Sequence, residues 1–122
     1  MPTKSEQLSA ALMALRKRPG VEGSALLSRD GIAVVADLPA SYSRETFSAM
    51  TAAMLGAAET AMIEIGRNIP DRLILENADT RLIAVGVNDE LMLAVLCKSS
   101  TPMPAILADI VAAIAQVKGI VG

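Results

Sequence analysis

The sequence has 122 residues, the length of one domain, with 13 acidic and 11 basic side chains and a formal charge of -2. One cysteine and no histidine exclude a disulfide framework and a cysteine and histidine zinc site within the chain. No extended basic face suits nucleic acid, and polar interruptions in every 18-residue window argue against direct membrane insertion. The lone cysteine and an amino end without a secretory signal lead us to expect a cytoplasmic location.

The hydrophobic content is high for a small soluble chain, at 52% of residues with a mean hydropathy of +0.47. Large exposed apolar patches on soluble proteins usually mark partner sites. We therefore expect the surplus apolar side chains to cover a subunit interface.

A first helix is predicted over Thr3 to Arg18. Thr3 can cap it, and Glu6 three residues later can bond back in a capping box. Pro19 and Gly20 then end the element.

Two short apolar runs follow, Val21 to Ser28 and Ile32 to Asp37, joined by Arg29, Asp30 and Gly31. Asp-Gly between such runs is a hairpin signal, because glycine takes a positive backbone angle without a clash. The pattern predicts two antiparallel strands.

A second helix is predicted from Arg44 to Gly66, with Ser43 as its cap and Pro70 beyond its end. Three strand-like runs come next, at 72–77, 80–87 and 91–98, and the turns between them are too short for a crossover. A last helix is expected from about Thr101-Pro102. Its expected inner side comprises Leu107, Ile110, Val111, Ile114 and Val117.

The element order is thus helix, two strands, helix, three strands, helix. It predicts an α/β (α+β) fold, a three-layer α/β/α sandwich with a five-stranded antiparallel sheet, as one domain over 1–122. The last strands do not alternate with polar residues, so we expect them to lie near the middle of the sheet, covered on both faces.

The second helix carries two uncharged stripes. The expected core stripe comprises Phe47, Met50, Met54, Ala57, Ala58, Ala61 and Ile65. The opposite stripe comprises Ala49, Ala52, Ala53, Gly56, Thr60 and Ile63. Small side chains let another helix approach closely, so we predict that this stripe packs on its copy in an antiparallel homodimer. Leu73 and Leu75 of the next strand are expected to extend the sheet towards the partner.

The segment from Pro19 to Ile32 resembles the opening hairpin of Roadblock domains, the dynein light-chain and bacterial gliding-protein type. The alanine-rich helix and the runs 73–76, 82–85 and 91–96 continue the similarity over essentially the whole chain. The resemblance implies a sheet with the second helix on one face and the other two helices on the opposite face. It also implies dimers through the second helix and third strand, and an association with small Ras-like GTPases as activator or platform.

No catalytic residues are predicted, because histidine is absent, no phosphate-binding glycine motif is present, and Cys97 lies in an apolar strand. No cofactor or metal is expected. The GTPase partner is expected to contact Arg44, Glu45, Ser48 and Glu59 over the paired helices. Arg29, Arg44 and Arg67 are candidate arginines for the transferring phosphate. Two alternatives stay open: an adaptor that binds an extended peptide along a sheet edge, and a small-molecule sensor.

Overall fold

A computed structural model describes residues 1–122. Three helices and five strands follow one another in the predicted order. They are α1 (Lys4–Arg16), β1 (Val21–Ser28), β2 (Ala33–Asp37), α2 (Arg44–Glu64), β3 (Arg72–Glu76), β4 (Thr80–Gly86), β5 (Leu91–Lys98) and α3 (Met103–Val121). The predicted α+β fold is confirmed, and the bounds of β1 and β5 agree with the sequence prediction.

The five strands form one antiparallel sheet in the order β2-β1-β5-β4-β3. β5 lies in the middle, where Ala94 is paired with Ala25 of β1 and Ala84 of β4. β2 and β3 are the two edges, so the expected edge position of Leu73 and Leu75 is confirmed. The chain turns between β1 and β2 at Gly31, whose positive φ of 88° is a conformation that glycine adopts readily.

α1 and α3 cover one face of the sheet and bury the larger core. Sixteen buried residues form this cluster, among them Leu12 of α1, Leu26 of β1, Val95 of β5 and Ile106 of α3. Thr3 and Glu6 make both hydrogen bonds of the predicted capping box at the start of α1. This side of the sheet therefore carries most of the apolar burial in the protomer.

α2 covers the opposite face over a smaller core of seven buried residues. They are Ala25, Leu27, Ala52, Leu55, Ala84, Met92 and Ala94. Four alanines bring the helix close to the strands, and Leu55 is the one large side chain that α2 buries there. The predicted placement of the three helices on two faces is confirmed.

α3 is rotated relative to the expected inner side. Its buried residues are Ile106, Ile110, Ala113 and Val117, whereas Val111 is 67% exposed. By length and composition alone α3 could cross a membrane, with a mean hydropathy of 1.7 over an 18-residue window. Polar interruptions therefore do not exclude it; 22% of that window is buried in the protomer, where α3 packs in the core with α1. The absence of direct membrane insertion stays a prediction.

Arg81 fixes the connection between β5 and α3. Its guanidinium donates to the carbonyl oxygens of Thr101 at 2.8 Å and Ser99 at 3.0 Å, and to a Glu76 carboxylate oxygen at 3.1 Å. The side chain is almost fully buried, so these hydrogen bonds satisfy a charge that would otherwise be costly to remove from water. They hold the proline-rich start of α3 against the sheet.

Candidate interaction surface

α2 has a capped amino end, and the side of the helix that faces its own sheet carries mostly polar or small residues. The Ser43 hydroxyl accepts a hydrogen bond from the Thr46 amide at 3.2 Å. The four buried residues of α2 are Ser48, Thr51, Ala52 and Leu55. The expected core stripe is therefore wrong in phase: of its members, Met50, Ala57, Ala61 and Ile65 are exposed. Periodicity assigns the apolar stripe to the core, but here much of the apolar surface lies on the outside.

Five of the six residues predicted for the α2 interface stripe are exposed on the protomer. We call them the outer surface of α2: Ala49, Ala53, Gly56, Thr60 and Ile63. Ala52, the sixth, is 8% exposed and belongs to the core beneath the helix, which corrects its assignment to the interface. A Cβ built on Gly56 would have no atom of the protomer within 4 Å, so nothing in this chain alone requires a glycine there.

The edge strand β3, next to α2, also exposes apolar surface. Leu73 and Leu75 point to the α2 side of β3, where Leu73 packs on the smaller core and Leu75 is 42% exposed. Ile63 on the helix is 60% exposed. The predicted interface residues other than Ala52 thus lie on the exposed helix side and the adjacent sheet edge.

The four residues predicted to contact a GTPase are in three different environments. Arg44 and Glu45 are exposed at the amino end of α2. Ser48 is fully buried under the helix, so its predicted partner contact is wrong in this conformation, because a serine is small enough to sit on the core side. Glu59 is half-buried and pairs with a side chain of its own protomer.

That side chain is Arg29, at the turn between β1 and β2. One of its terminal nitrogens (Nη1) lies 2.8 and 2.9 Å from the two carboxylate oxygens of Glu59, and the other (Nη2) donates to the Asn88 carbonyl oxygen at 3.1 Å. Arg29 is therefore not a free arginine for a partner's phosphate, whereas Arg44 and Arg67 are exposed. The outer surface of α2 contains no charged residue, and the neighbouring Glu59 is paired with Arg29 of its own protomer.

Sequence reasoning missed the pairing of Arg29 with Glu59, which are thirty residues apart. Gly86, near the end of the apolar strand β4, was the available signal, since a strand glycine often marks the close approach of another group. A Cβ at this position would lie 2.6 Å from Nη2 of Arg29. Because Gly86 has no side chain, the space that the Arg29 guanidinium occupies stays free.

A second arginine pair lies on the other face of the sheet. Arg18, just beyond α1, donates to the two carboxylate oxygens of Asp109 in α3 at 2.7 and 3.1 Å. The hydrogen bond lowers the pKa of Asp109, and the same hydrogen bond raises the pKa of Arg18. This pair joins the two helices of that layer and takes no part in the α2 surface.

Cys97 is fully buried in β5 as part of the larger core. A thiol in this position packs as a small apolar side chain and is not accessible to a substrate.

A family model described as the Roadblock/LC7 domain matches residues 8–97, and the chain belongs to this family. Two relatives from Methanocaldococcus jannaschii, the uncharacterized proteins MJ0310 and MJ0714, are 28% and 27% identical to it over 85 residues. The alignments cover 70% of this chain and 75% and 72% of those proteins.

Within the family, the fold resembles that of MglB. The structure of MglB from Myxococcus xanthus has a TM-score of 0.89 at 17% identity, over 98% of this chain and 91% of that one. The gliding protein MglB from Thermus thermophilus has a TM-score of 0.84 at 12% identity, over 98% and 92%. A Roadblock/LC7 domain from Streptomyces avermitilis also has a TM-score of 0.84, at 17% identity over 92% and 95%. At these identities the similarity establishes the fold.

Proposed function

We propose that this chain is a non-enzymatic homodimer that binds a small Ras-like GTPase, either as an activator or as a docking platform. The observation that carries the proposal is the uncharged outer surface of α2, with Gly56 near its centre, in a chain of the Roadblock/LC7 family. A surface helix without a partner would expose charged side chains here.

The spacing of the outer surface suits a two-fold antiparallel pair of helices. Ala49 and Ile63 are each seven residues from Gly56, so a two-fold axis at Gly56 brings Ile63 of one copy opposite Ala49 of the other. Ala53 and Thr60 are three and four residues from Gly56, so the same axis brings Thr60 of one copy within one residue rise, about 1.5 Å, of the level of Ala53 of the other. Large side chains thus face small ones, which favours close packing of the two helices.

The β3 edge supports the same arrangement. Leu75 is exposed on the α2 side of the sheet, at the margin where a partner helix or strand would lie. An unpaired edge strand is also a template for pairing with another chain. Leu73 and Leu75 are therefore proposed as the strand contribution to the interface.

The proposed GTPase contacts are reduced to Arg44 and Glu45 and their copies, at the two ends of the helix pair. Ser48 and Glu59 do not belong to this set, because the first is buried and the second is paired with Arg29. An activator can place an arginine at the transferring phosphate or position the switch loops of the GTPase itself. Arg44 and Arg67 are the exposed arginines for the first route. A cytoplasmic location is proposed with this role, and the buried free thiol of Cys97 suits it.

Two measurements test the proposal. Sedimentation at micromolar concentration should give a particle of about twice 12.7 kDa, and a monodisperse monomer would contradict the dimer. GTP turnover and binding by small GTPases encoded near this gene are then measured with and without the protein. No change in either quantity for any of them would remove the regulator role.

A matched pair of variants locates the GTPase contact. Arg44→Ala should weaken binding, whereas Lys17→Ala, an exposed cation on the opposite face of the sheet, should leave it unchanged. Equal effects of the two variants would indicate general electrostatic attraction without a defined site.

The adaptor alternative is supported by the other edge of the sheet. β2 is the edge strand remote from β3. Ile32, just before β2, is 68% exposed, and Val34, within it, is 42% exposed. An extended peptide could add to this edge as a further strand. Co-purification of a non-GTPase protein through a disordered segment, with no effect on any GTPase, would favour this alternative.

A further inference from the structure

The two halves of α2 are attached to the sheet in different ways. All four buried residues of the helix, from Ser48 to Leu55, lie within its first twelve residues, Arg44 to Leu55, which we call its amino-terminal half. From Gly56 to Glu64 no residue is buried, and only Ala58, Glu59 and Met62 are partly covered. The carboxy-terminal half therefore gains little from apolar burial, although it carries Gly56, Thr60 and Ile63 of the outer surface.

The Arg29 side chain makes the ion pair that joins this half to the rest of the protomer. It links three segments: its own turn between β1 and β2, Glu59 of α2, and Asn88 in the turn between β4 and β5. The Arg29 amide also donates to the Glu90 carbonyl oxygen at 2.9 Å, which fixes the backbone under the side chain. The side chains of Arg29 and Glu59 are only 28% and 19% exposed, so water and salt screen their attraction less than in an open surface pair.

Two glycines allow this arrangement. Gly86 leaves space for Nη2 of Arg29, as described above. A Cβ on Gly31 would lie 2.9 Å from the Cα of Ala49, so the hairpin tip approaches the helix backbone closely. The tip that carries Arg29 is thus held against α2 at Ala49 and again, through the ion pair, at Glu59.

We infer that Arg29 is a positioning residue: its ion pair with Glu59 sets where the carboxy-terminal half of α2 lies and so determines how well the outer surface of α2 fits a second copy. The inference rests on the proposed homodimer. Without Arg29, the carboxylate of Glu59 is left half-buried without its cation. The carboxy-terminal end of α2 can then shift, and a shifted helix no longer packs closely on its copy.

The experiment compares dimer dissociation constants of Arg29→Ala, Glu59→Gln and a matched control, Arg16→Ala. Arg16 also makes a two-point ion pair, with Asp37 at 3.2 Å, but its helix lies on the other face of the sheet. We expect both clamp variants, Arg29→Ala and Glu59→Gln, to raise the dissociation constant about tenfold, because the displaced helix end must be ordered again when the two copies associate, at a cost of about 1.4 kcal/mol. The control should change it less than about twofold.

Hydrogen exchange separates positioning from a general loss of stability. In both clamp variants, exchange should quicken for amides 59–66 while those from Thr51 to Leu55 keep their protection. Glu59→Gln keeps the size of the side chain, so it supplies the test if Arg29→Ala does not fold. A dissociation constant within twofold of the wild type in a folded clamp variant, or unchanged exchange at 59–66, would overturn the inference. If the wild type is a monomer, the homodimer fails, and the exchange measurement still decides whether Arg29 holds the helix.

Discussion

Replacing Gly56 by alanine distinguishes a helix that packs on its twin from one that faces water. In the protomer the added methyl group meets no atom within 4 Å. Alanine favours the helix over glycine by about 1 kcal/mol, so the isolated protomer should become more stable by about that amount. If α2 faced only water, this gain would be the whole effect of the substitution.

In the proposed dimer the same methyl group lies near the two-fold axis, where the two helices are closest. Overpacking a tight contact costs about 1 to 3 kcal/mol. The gain in helix propensity is present in both monomer and dimer, so it cancels from the dissociation equilibrium. The dissociation constant should therefore rise by about 5- to 150-fold.

The assay combines sedimentation over a dilution series with urea unfolding at a concentration where the protein is monomeric. Gly119→Ala is the matched control, because Gly119 is an exposed glycine of α3 that also has no atom within 4 Å of a built Cβ. It should stabilise the protomer without changing the dissociation constant. If Gly56→Ala behaves like Gly119→Ala in both measurements, the close contact of α2 with its copy is refuted.

Two further outcomes follow from the cores and charges of the protomer. Leu55→Ala should destabilise it by about 3 to 4 kcal/mol in urea unfolding: about 2.4 kcal/mol for the lost carbons, and the rest for a cavity that neighbouring alanines cannot fill. The exposed Met13→Ala should cost less than about 0.5 kcal/mol, and an equal loss for both would contradict this packing. Arg18 lowers the pKa of Asp109 through a hydrogen bond, so the ionised carboxylate stabilises the folded protomer. This contribution is present above about pH 4 and is lost as the pH falls through the lowered pKa. The stability difference from Asp109→Asn should thus be constant from about pH 5 to 8 and shrink in acid; a difference that grows below pH 4 would contradict the assigned direction.

The strand pattern was predictable because its signals are local. Asp30-Gly31 and Asn88 mark turns within the sequence they connect, and the Asn88 side chain accepts from the amides of Glu90 and Leu91, both at 2.8 Å. β5 is apolar along nearly its whole length, which indicated a central strand, and it is the middle strand of the sheet. Such features require no knowledge of distant parts of the chain.

The faces of α2 and α3 were not predictable in the same way. Both helices are apolar or small on several sides, and α3 has only Asp109 and Lys118 as charged residues. Hydrophobic periodicity then lacks a polar side to fix its phase. In α2 the error was complete for Ser48, which was expected to contact a partner and is buried, and for Met50, which was expected in the core and is 57% exposed.

The error in α2 and the proposal of a dimer have the same physical origin. Hydrophobic residues make up 52% of the chain, yet only 31 of 122 residues are buried in the protomer. A helix of 21 residues that buries four of them, with one large apolar side chain among the four, is weakly attached by packing alone. Arg29 compensates at the carboxy-terminal half from within the chain, and a second copy would supply the remaining apolar contact from outside. In the proposed dimer the outer surface of α2 would be covered by its copy, and α2 would reach its full stability only there.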